Sequence, residues 1–205
     1  MVRRHGLLVD FGGVLTSSVF ASFAAFCAAE GLPEDTVRRA FAEDDTARAL
    51  LFTFELGRLD QAAFEARLAP LLGVGTPAGL VDRLFSGLRP DAAMLAAVTA
   101  ARRGGARTGL ISNSWGTGTG YDRAHFAELF DGVVISAEEG VRKPDPAVYA
   151  LGAERIGLDA GACVFVDDLR GNLKPARALG MATVHHTSAE TTIPQLEELL
   201  ELPLR

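Results

Sequence analysis

Short, largely apolar runs alternate with helical stretches along most of this chain, and the polar residues that could do chemistry follow those runs. Gly6-Leu7-Leu8-Val9 leads into Asp10 and the turn at Gly12-Gly13, and further runs lie at 106–111, 133–135, 162–166 and 182–185. Runs of this length with no alternation fit strands buried on both faces, and helical segments between them imply a parallel sheet with helices on either side. The chain therefore reads as an α/β protein with a Rossmann-like three-layer α/β/α core.

The first strand is separated from the others by a long helical block. Ser17 or Ser18 can cap a helix carrying Phe20, Phe23, Phe26 and Cys27 on one face, and Pro33 opens a second. A third is expected over 43–56. Asp60 caps a fourth that Gly73 ends, and Thr76-Pro77 opens a fifth through Leu80, Leu84 and Phe85. No strand is expected from Thr16 to Leu88. The division expected is a catalytic core of residues 1–15 and 89–205, with a small all-helical cap at 16–88. In the core, helices are expected at 91–102, around 121–129, at 146–156, at 172–179 and from near Pro194.

The balance of 20 basic and 26 acidic residues, a formal net charge of −6, lacks the basic face that nucleic acid or an anionic membrane requires. No apolar run approaches the ~20 residues that span a bilayer. The two cysteines, Cys27 and Cys163, sit in apolar runs without metal-ligand spacing, which suits buried thiols in a reducing, cytoplasmic setting.

In an open parallel sheet, ligands bind beyond the carboxyl ends of the strands. Asp10, then Ser112-Asn113-Ser114, then Asp167-Asp168 follow three of the strands, and Lys143 follows a fourth after a loop. Clustered carboxylates repel one another and call for a cation, and hard oxygen ligands favour magnesium. A carboxylate can attack phosphorus to give an acyl-phosphate. The lysine would neutralise charge on the transferring group, and Ser112 and Asn113 would donate hydrogen bonds to it.

Asp10-Phe11-Gly12-Gly13-Val14-Leu15-Thr16, Leu110-Ile111-Ser112-Asn113, Arg142-Lys143-Pro144-Asp145-Pro146 and Val164-Phe165-Val166-Asp167-Asp168, continued by Asn172, Ala176 and Gly180-Met181, resemble the ordered motifs of the haloacid dehalogenase-like superfamily. The chain looks most like its capped phosphatase branch, which includes the amino-terminal domain of soluble epoxide hydrolases and small sugar-phosphate phosphatases. The resemblance implies a magnesium-dependent hydrolase of small phosphate monoesters. Asp10 would be nucleophile and metal ligand, and the Gly12 carbonyl, Asp167 and Asp168 would complete the protein's share of the metal shell. Ser112, Asn113 and Gly13 would bind the phosphoryl group, and Lys143 would bridge nucleophile and phosphate. The partner implied is a small phosphorylated metabolite and the assembly a monomer or homodimer.

One position departs from the pattern. Phosphatases of this branch usually carry Asp two residues after the nucleophile as general acid and base, and here that residue is Gly12. Turnover on poor leaving groups is expected to be slow. The departure keeps open a degenerate member that only binds a phosphometabolite or a protein; a 2-haloacid dehalogenase and a phosphomutase are further alternatives. The glycines at 116, 118 and 120 fit neither the dinucleotide fingerprint nor the P-loop and read as a loop. His125, His185 and His186 lack metal-ligand spacing. The phenylalanines of the helical block read as core, and Glu138-Glu139 as a solvated pair.

Overall fold

A computed structural model of the chain describes residues 4–116 and 123–205. Five strands, β1 (Gly6–Val9), β2 (Arg107–Ser112), β3 (Gly132–Ile135), β4 (Cys163–Asp167) and β5 (Ala182–His185), form one sheet in the order β3-β2-β1-β4-β5. Every neighbouring pair is parallel. The chain adds strands on one side of β1 as far as β3, then crosses to the other side for β4. The switch point therefore falls between β1 and β4, where such sheets open a crevice at their carboxyl ends.

Each central strand feeds two cores. Leu7 and Val9 of β1 join one cluster while Leu8 joins the other, and Val164 and Val166 of β4 divide in the same way from Cys163 and Phe165. This is why the runs are apolar throughout instead of alternating. Cys27 and Cys163 are both free and buried, as small apolar residues.

The helices run α1 (Val19–Ala29), α2 (Thr36–Glu43), α3 (Asp45–Glu55), α4 (Gln61–Leu72), α5 (Leu80–Phe85), α6 (Ala92–Arg103), α7 (Arg123–Leu129), α8 (Ser136–Glu139), α9 (Pro146–Arg155), α10 (Arg170–Ala178) and α11 (Ala189–Leu200). Ser18 and Asp60 cap α1 and α4 through the N–H groups of Ala21 and Ala63, and Gly73 ends α4 in the left-handed conformation. Among the described residues between Thr16 and Leu88, the only sheet-like pairing is an isolated bridge from Thr16 to Pro90. Helices α1 to α5 close around a third apolar cluster of their own, into which Trp115 projects from the loop after β2.

Several boundaries differ from the sequence reading. The fifth helix starts at Leu80, because Gly79 takes a left-handed conformation between Pro77 and the first turn. The last starts at Ala189, well before Pro194. Ser188 caps it through the N–H of Thr191, and the helix then accepts the proline inside it. The helix α8 was not anticipated. Its Glu139 pairs with Arg155 and is not simply solvated.

Candidate active site

Asp10 and Asp167-Asp168 stand at the carboxyl ends of β1 and β4, side by side across the switch point. One carboxylate oxygen from each lies within 4.8 Å of the others. Lys143 reaches between them. Its Nζ is 2.7 Å from Asp10 Oδ1 and 2.7 Å from Asp167 Oδ2, and the side chain is 2% exposed. Residues separated by more than 150 positions in sequence thus meet in one buried cluster.

Each member is held. Asp10 Oδ1 also accepts the N–H of Phe11, which leaves Oδ2 without a partner among the described residues. Asp167 is bonded on both oxygens. Oδ1 takes the Leu169 N–H and Asn172 Nδ2, and Oδ2 takes Lys143 and Asn172. Asn113 spends its whole side chain on the lysine's backbone: Nδ2 donates to the Lys143 carbonyl and Oδ1 accepts the Lys143 N–H. Asn113, expected to donate to phosphate, also lines the cavity, and its side chain fixes where Lys143 stands. Ser112, at the end of β2, lines the same cavity as Asp10.

The two glycines have different reasons. Gly13 has φ +79°, and a Cβ there would lie 2.4 Å from Asp168 Oδ2, so both conformation and space exclude a side chain. Gly12 is outside the left-handed region, and a Cβ there would meet only Val19 Cγ2, at 2.9 Å. Gly12 is therefore not required by its backbone.

The electrostatics show surplus negative charge. Burial pushes the Asp10 carboxyl up to about 7; Lys143 opposes this, and Asp167 adds to it. Burial and then Asp167 raise Asp168 to about 6. Burial works against the Lys143 ammonium, but Asp10 and Asp167 hold it well above its ordinary value. One lysine among three carboxylates stays charged and cannot neutralise them all. A hard divalent cation fits that deficit and that all-oxygen donor set.

Beyond the cluster, helices and sheet enclose a cavity of about 320 Å³. Its far wall is aromatic, formed by Phe20, Phe23, Phe41, Phe85 and Trp115, with Leu51, Leu88 and Leu169 beside them. The phenylalanines expected as core thus divide. Phe54 and Phe64 stack inside the helical cluster, while Phe20 and Phe41 face the cavity. Trp115 touches Phe23, Phe41, Phe64 and Phe85 at once, with ring centroids 5.0–6.0 Å apart. Among the described lining residues, the one charged group on the helical side is Glu55, bonded to Arg142 Nε at 2.5 Å. The Arg142 guanidinium lies 3.9 Å from the centre of the Phe52 ring.

His185 Nε2 is 2.9 Å from the main-chain oxygen of Asp168, and His186 bonds Thr192. Gly118, Gly120 and the side chain of His125 lie outside the described residues. No helix among the described residues is long and apolar enough to cross a membrane.

The sequence matches the haloacid dehalogenase-like hydrolase family over residues 5–180. The chain belongs to that family. Among curated relatives, this hydrolase is 29% identical to mouse acyl-CoA dehydrogenase family member 10 over 98% of its own length, but spans only 19% of that relative. It is 31% identical to a sesquiterpene phosphatase of Aspergillus oryzae, over 72% of this chain and 77% of the relative. A family enzyme of Bacteroides thetaiotaomicron, solved with magnesium and inorganic phosphate, superimposes with a TM-score of 0.61 at 20% identity, covering 88% of this chain and 93% of that one. That similarity supports the shared fold.

Glu55, Arg142 and Trp115 are the site residues that sequence reasoning left without a role. Arg142 stood inside a recognised motif, and nothing in spacing alone pairs it with a residue of a distant helix.

Proposed function

We propose that this hydrolase cleaves small phosphate monoesters in a magnesium-dependent reaction through an aspartyl-phosphate on Asp10. The observation that carries the reading is the buried Asp10–Lys143–Asp167 cluster with Asp168 beside it, since it offers a fixed carboxylate with one free oxygen next to a deficit of positive charge. In the reaction, Asp10 Oδ2 attacks phosphorus and the ester oxygen departs as the alcohol. Lys143 stays charged and neutralises the phosphoryl oxygens as charge shifts among them, Ser112 donates to those oxygens, and Asn113 keeps the lysine in register. Water then attacks the phosphorus of the aspartyl-phosphate and frees Asp10. Asp10, the Gly12 carbonyl, Asp168 and Asp167, the last directly or through water, would hold magnesium, which when bound withdraws charge from the phosphoryl group. Helices α1 to α5, within residues 16–88, serve as a cap over residues 1–15 and 89–205.

The leaving group that best fits the cavity is apolar. A sugar would strand its hydroxyls against Phe20, Phe41, Phe85 and Trp115, whereas a terpenoid or aryl group would bury there. The named activity of the Aspergillus relative agrees with this choice. Burying ~100 Å² of apolar surface contributes ~2.5 kcal/mol, roughly 70-fold in kcat/KM. A phosphate ester panel with magnesium should therefore rank apolar esters above sugar phosphates by about that factor. Phe41→Ala should narrow the gap. A preference for sugar phosphates would contradict the apolar reading.

Magnesium should also stabilise the fold, since it would bind the native cluster and not the unfolded chain. At a hundredfold excess over Kd the gain is ~2.7 kcal/mol, which for a chain of this size is roughly 5–10 °C in Tm. Asp168→Asn should blunt that shift. A Tm insensitive to saturating magnesium would contradict the metal site. The dehalogenase alternative needs no such cation, and this shift separates the two.

A further inference from the structure

We propose that Glu55, the last residue of α3, gives the leaving oxygen its proton, the task that Gly12 cannot perform. The proposal rests on the phosphoryl-transfer reading above. The cavity's described lining carries three carboxyl groups, Asp10, Asp168 and Glu55, and two cations, Arg142 and Lys143. No histidine, cysteine or tyrosine is among the described lining residues. Asp10 is the nucleophile and Asp168 belongs to the acidic cluster. A guanidinium does not release its proton, and Lys143 is held charged between two carboxylates. Among the described lining residues, Glu55 is the one remaining group with a proton to give near neutral pH.

Its setting suits that task. The side chain is 6% exposed, and Oε2 is fixed by Arg142. Its main-chain oxygen accepts the hydroxyl of Ser136, at 2.5 Å, and Ser136 in turn receives the N–H of Ser114. Glu55 is thus anchored to the sheet side at both ends while it belongs to the helical block. Oε1 has no hydrogen bond among the described residues. The carboxyl sits at the carboxyl end of α3, where the helix dipole disfavours a negative charge. Burial pushes it up to about 7, against Arg142 first and then Lys143. The charged groups facing it are those two cations. On the neighbouring α4, Glu65 is already tied to Gln61 and to the N–H groups of Gly79 and Val81.

The step balances. Asp10 forms the bond to phosphorus, the bond to the ester oxygen breaks with its electron pair on oxygen, and the Glu55 proton moves to that oxygen, so a neutral alcohol leaves. The Glu55 carboxylate is then stabilised by Arg142. In the second half it takes a proton from the water that attacks the aspartyl-phosphate, which restores Glu55 as an acid and Asp10 as a carboxylate.

The test compares wild type with Glu55→Gln, both with magnesium, on an alkyl phosphate and on p-nitrophenyl phosphate. The alkyl substrate needs a proton on its leaving group and the aryl one scarcely does. The expected loss is ~10²–10⁴-fold in kcat on the alkyl ester and less than about tenfold on the aryl ester. The ratio of wild-type kcat on the alkyl ester to that on the aryl ester should fall as pH rises through about 7, where Glu55 loses its proton; ionisation of Asp10 acts on both esters alike and leaves the ratio unchanged. That fall needs no variant to be seen, so it remains decisive if Glu55→Gln does not fold. Adding Gly12→Asp to Glu55→Gln should recover alkyl hydrolysis once Val19, whose Cγ2 lies 2.9 Å from the new Cβ, shifts to admit it. A folded Glu55→Gln with wild-type alkyl activity, an equal loss on both esters, or an alkyl-to-aryl rate ratio in wild type that stays flat across neutral pH overturns the assignment. Wild type that cleaves neither ester overturns the phosphoryl-transfer reading itself, a different outcome from an active enzyme indifferent to Glu55.

Discussion

Asp10→Asn is expected to lower phosphate-ester turnover by ~10⁴–10⁶-fold, the scale on which enzymes respond to loss of a nucleophile. The amide has nearly the same shape as the carboxylate, so it can still accept from Phe11 and Lys143 on one oxygen. It is a poor nucleophile and a poor ligand for a hard cation. Without metal, the variant should melt no lower than wild type, because one of three mutually repelling carboxylates has become neutral. With magnesium, its stabilisation should be smaller than that of wild type. Activity assayed on both esters, with melting curves in the presence and absence of magnesium, checks all of these outcomes. Turnover retained in a pure Asp10→Asn sample would place the nucleophile elsewhere.

Lys143→Met should cost both activity and stability. Lys143 is among the largest fully buried side chains, and its ammonium bridges Asp10 and Asp167. Methionine fills similar volume and leaves the two carboxylates facing each other without a cation. Removing one partner of a buried ion pair costs ~3–5 kcal/mol, and denaturant melts at neutral pH should show a loss of that size. The sign of its pH dependence follows from the carboxylates. Burial already raises Asp10 to about 7 in the folded protein, and loss of the lysine raises it further. A group whose folded pKa exceeds its unfolded one costs stability once pH passes the unfolded value near 4, and the cost grows until the folded value is reached. Wild type and variant lose the same stability to Asp10 between pH 4 and 7, so the variant's extra deficit should open above pH 7, where Asp10 of the wild type is already ionised and that of the variant still costs stability to ionise. A deficit that does not grow as pH rises above 7 would mean that the lysine is held mainly by packing.

Much of this site was readable in the sequence, for a physical reason. A strand buried on both faces has to be apolar throughout, so Leu7-Leu8-Val9 and Val164-Phe165-Val166 stand out, and Asp10 and Asp167 are conspicuous where those runs stop. Parallel pairing brings strand ends to one edge, so order along the chain sufficed to collect Asp10, Ser112, Lys143 and Asp168. The helical block was legible only as helices. Its spacing shows that Phe20 and Phe23 share an apolar face, but a helix face turned to a cavity reads like one turned to a core. Only the packed structure separates Phe41, at the cavity, from Phe64, stacked on Phe54. Glu55 was invisible for a similar reason. A glutamate near a helix end is ordinarily solvated, and its burial depends on Arg142, 87 positions away. Nothing in the sequence shows that the Lys143 backbone bonds both ends of the Asn113 amide.

The most direct test of the central claim is to quench the magnesium-loaded enzyme in acid during turnover of a phosphate ester and map the phosphoryl group by peptide mass spectrometry. The account predicts one hydroxylamine-sensitive phosphoryl group on the peptide that carries Asp10, absent from Asp10→Asn. Steady turnover with no trapped phosphoryl group, or with one on any other residue, would contradict it.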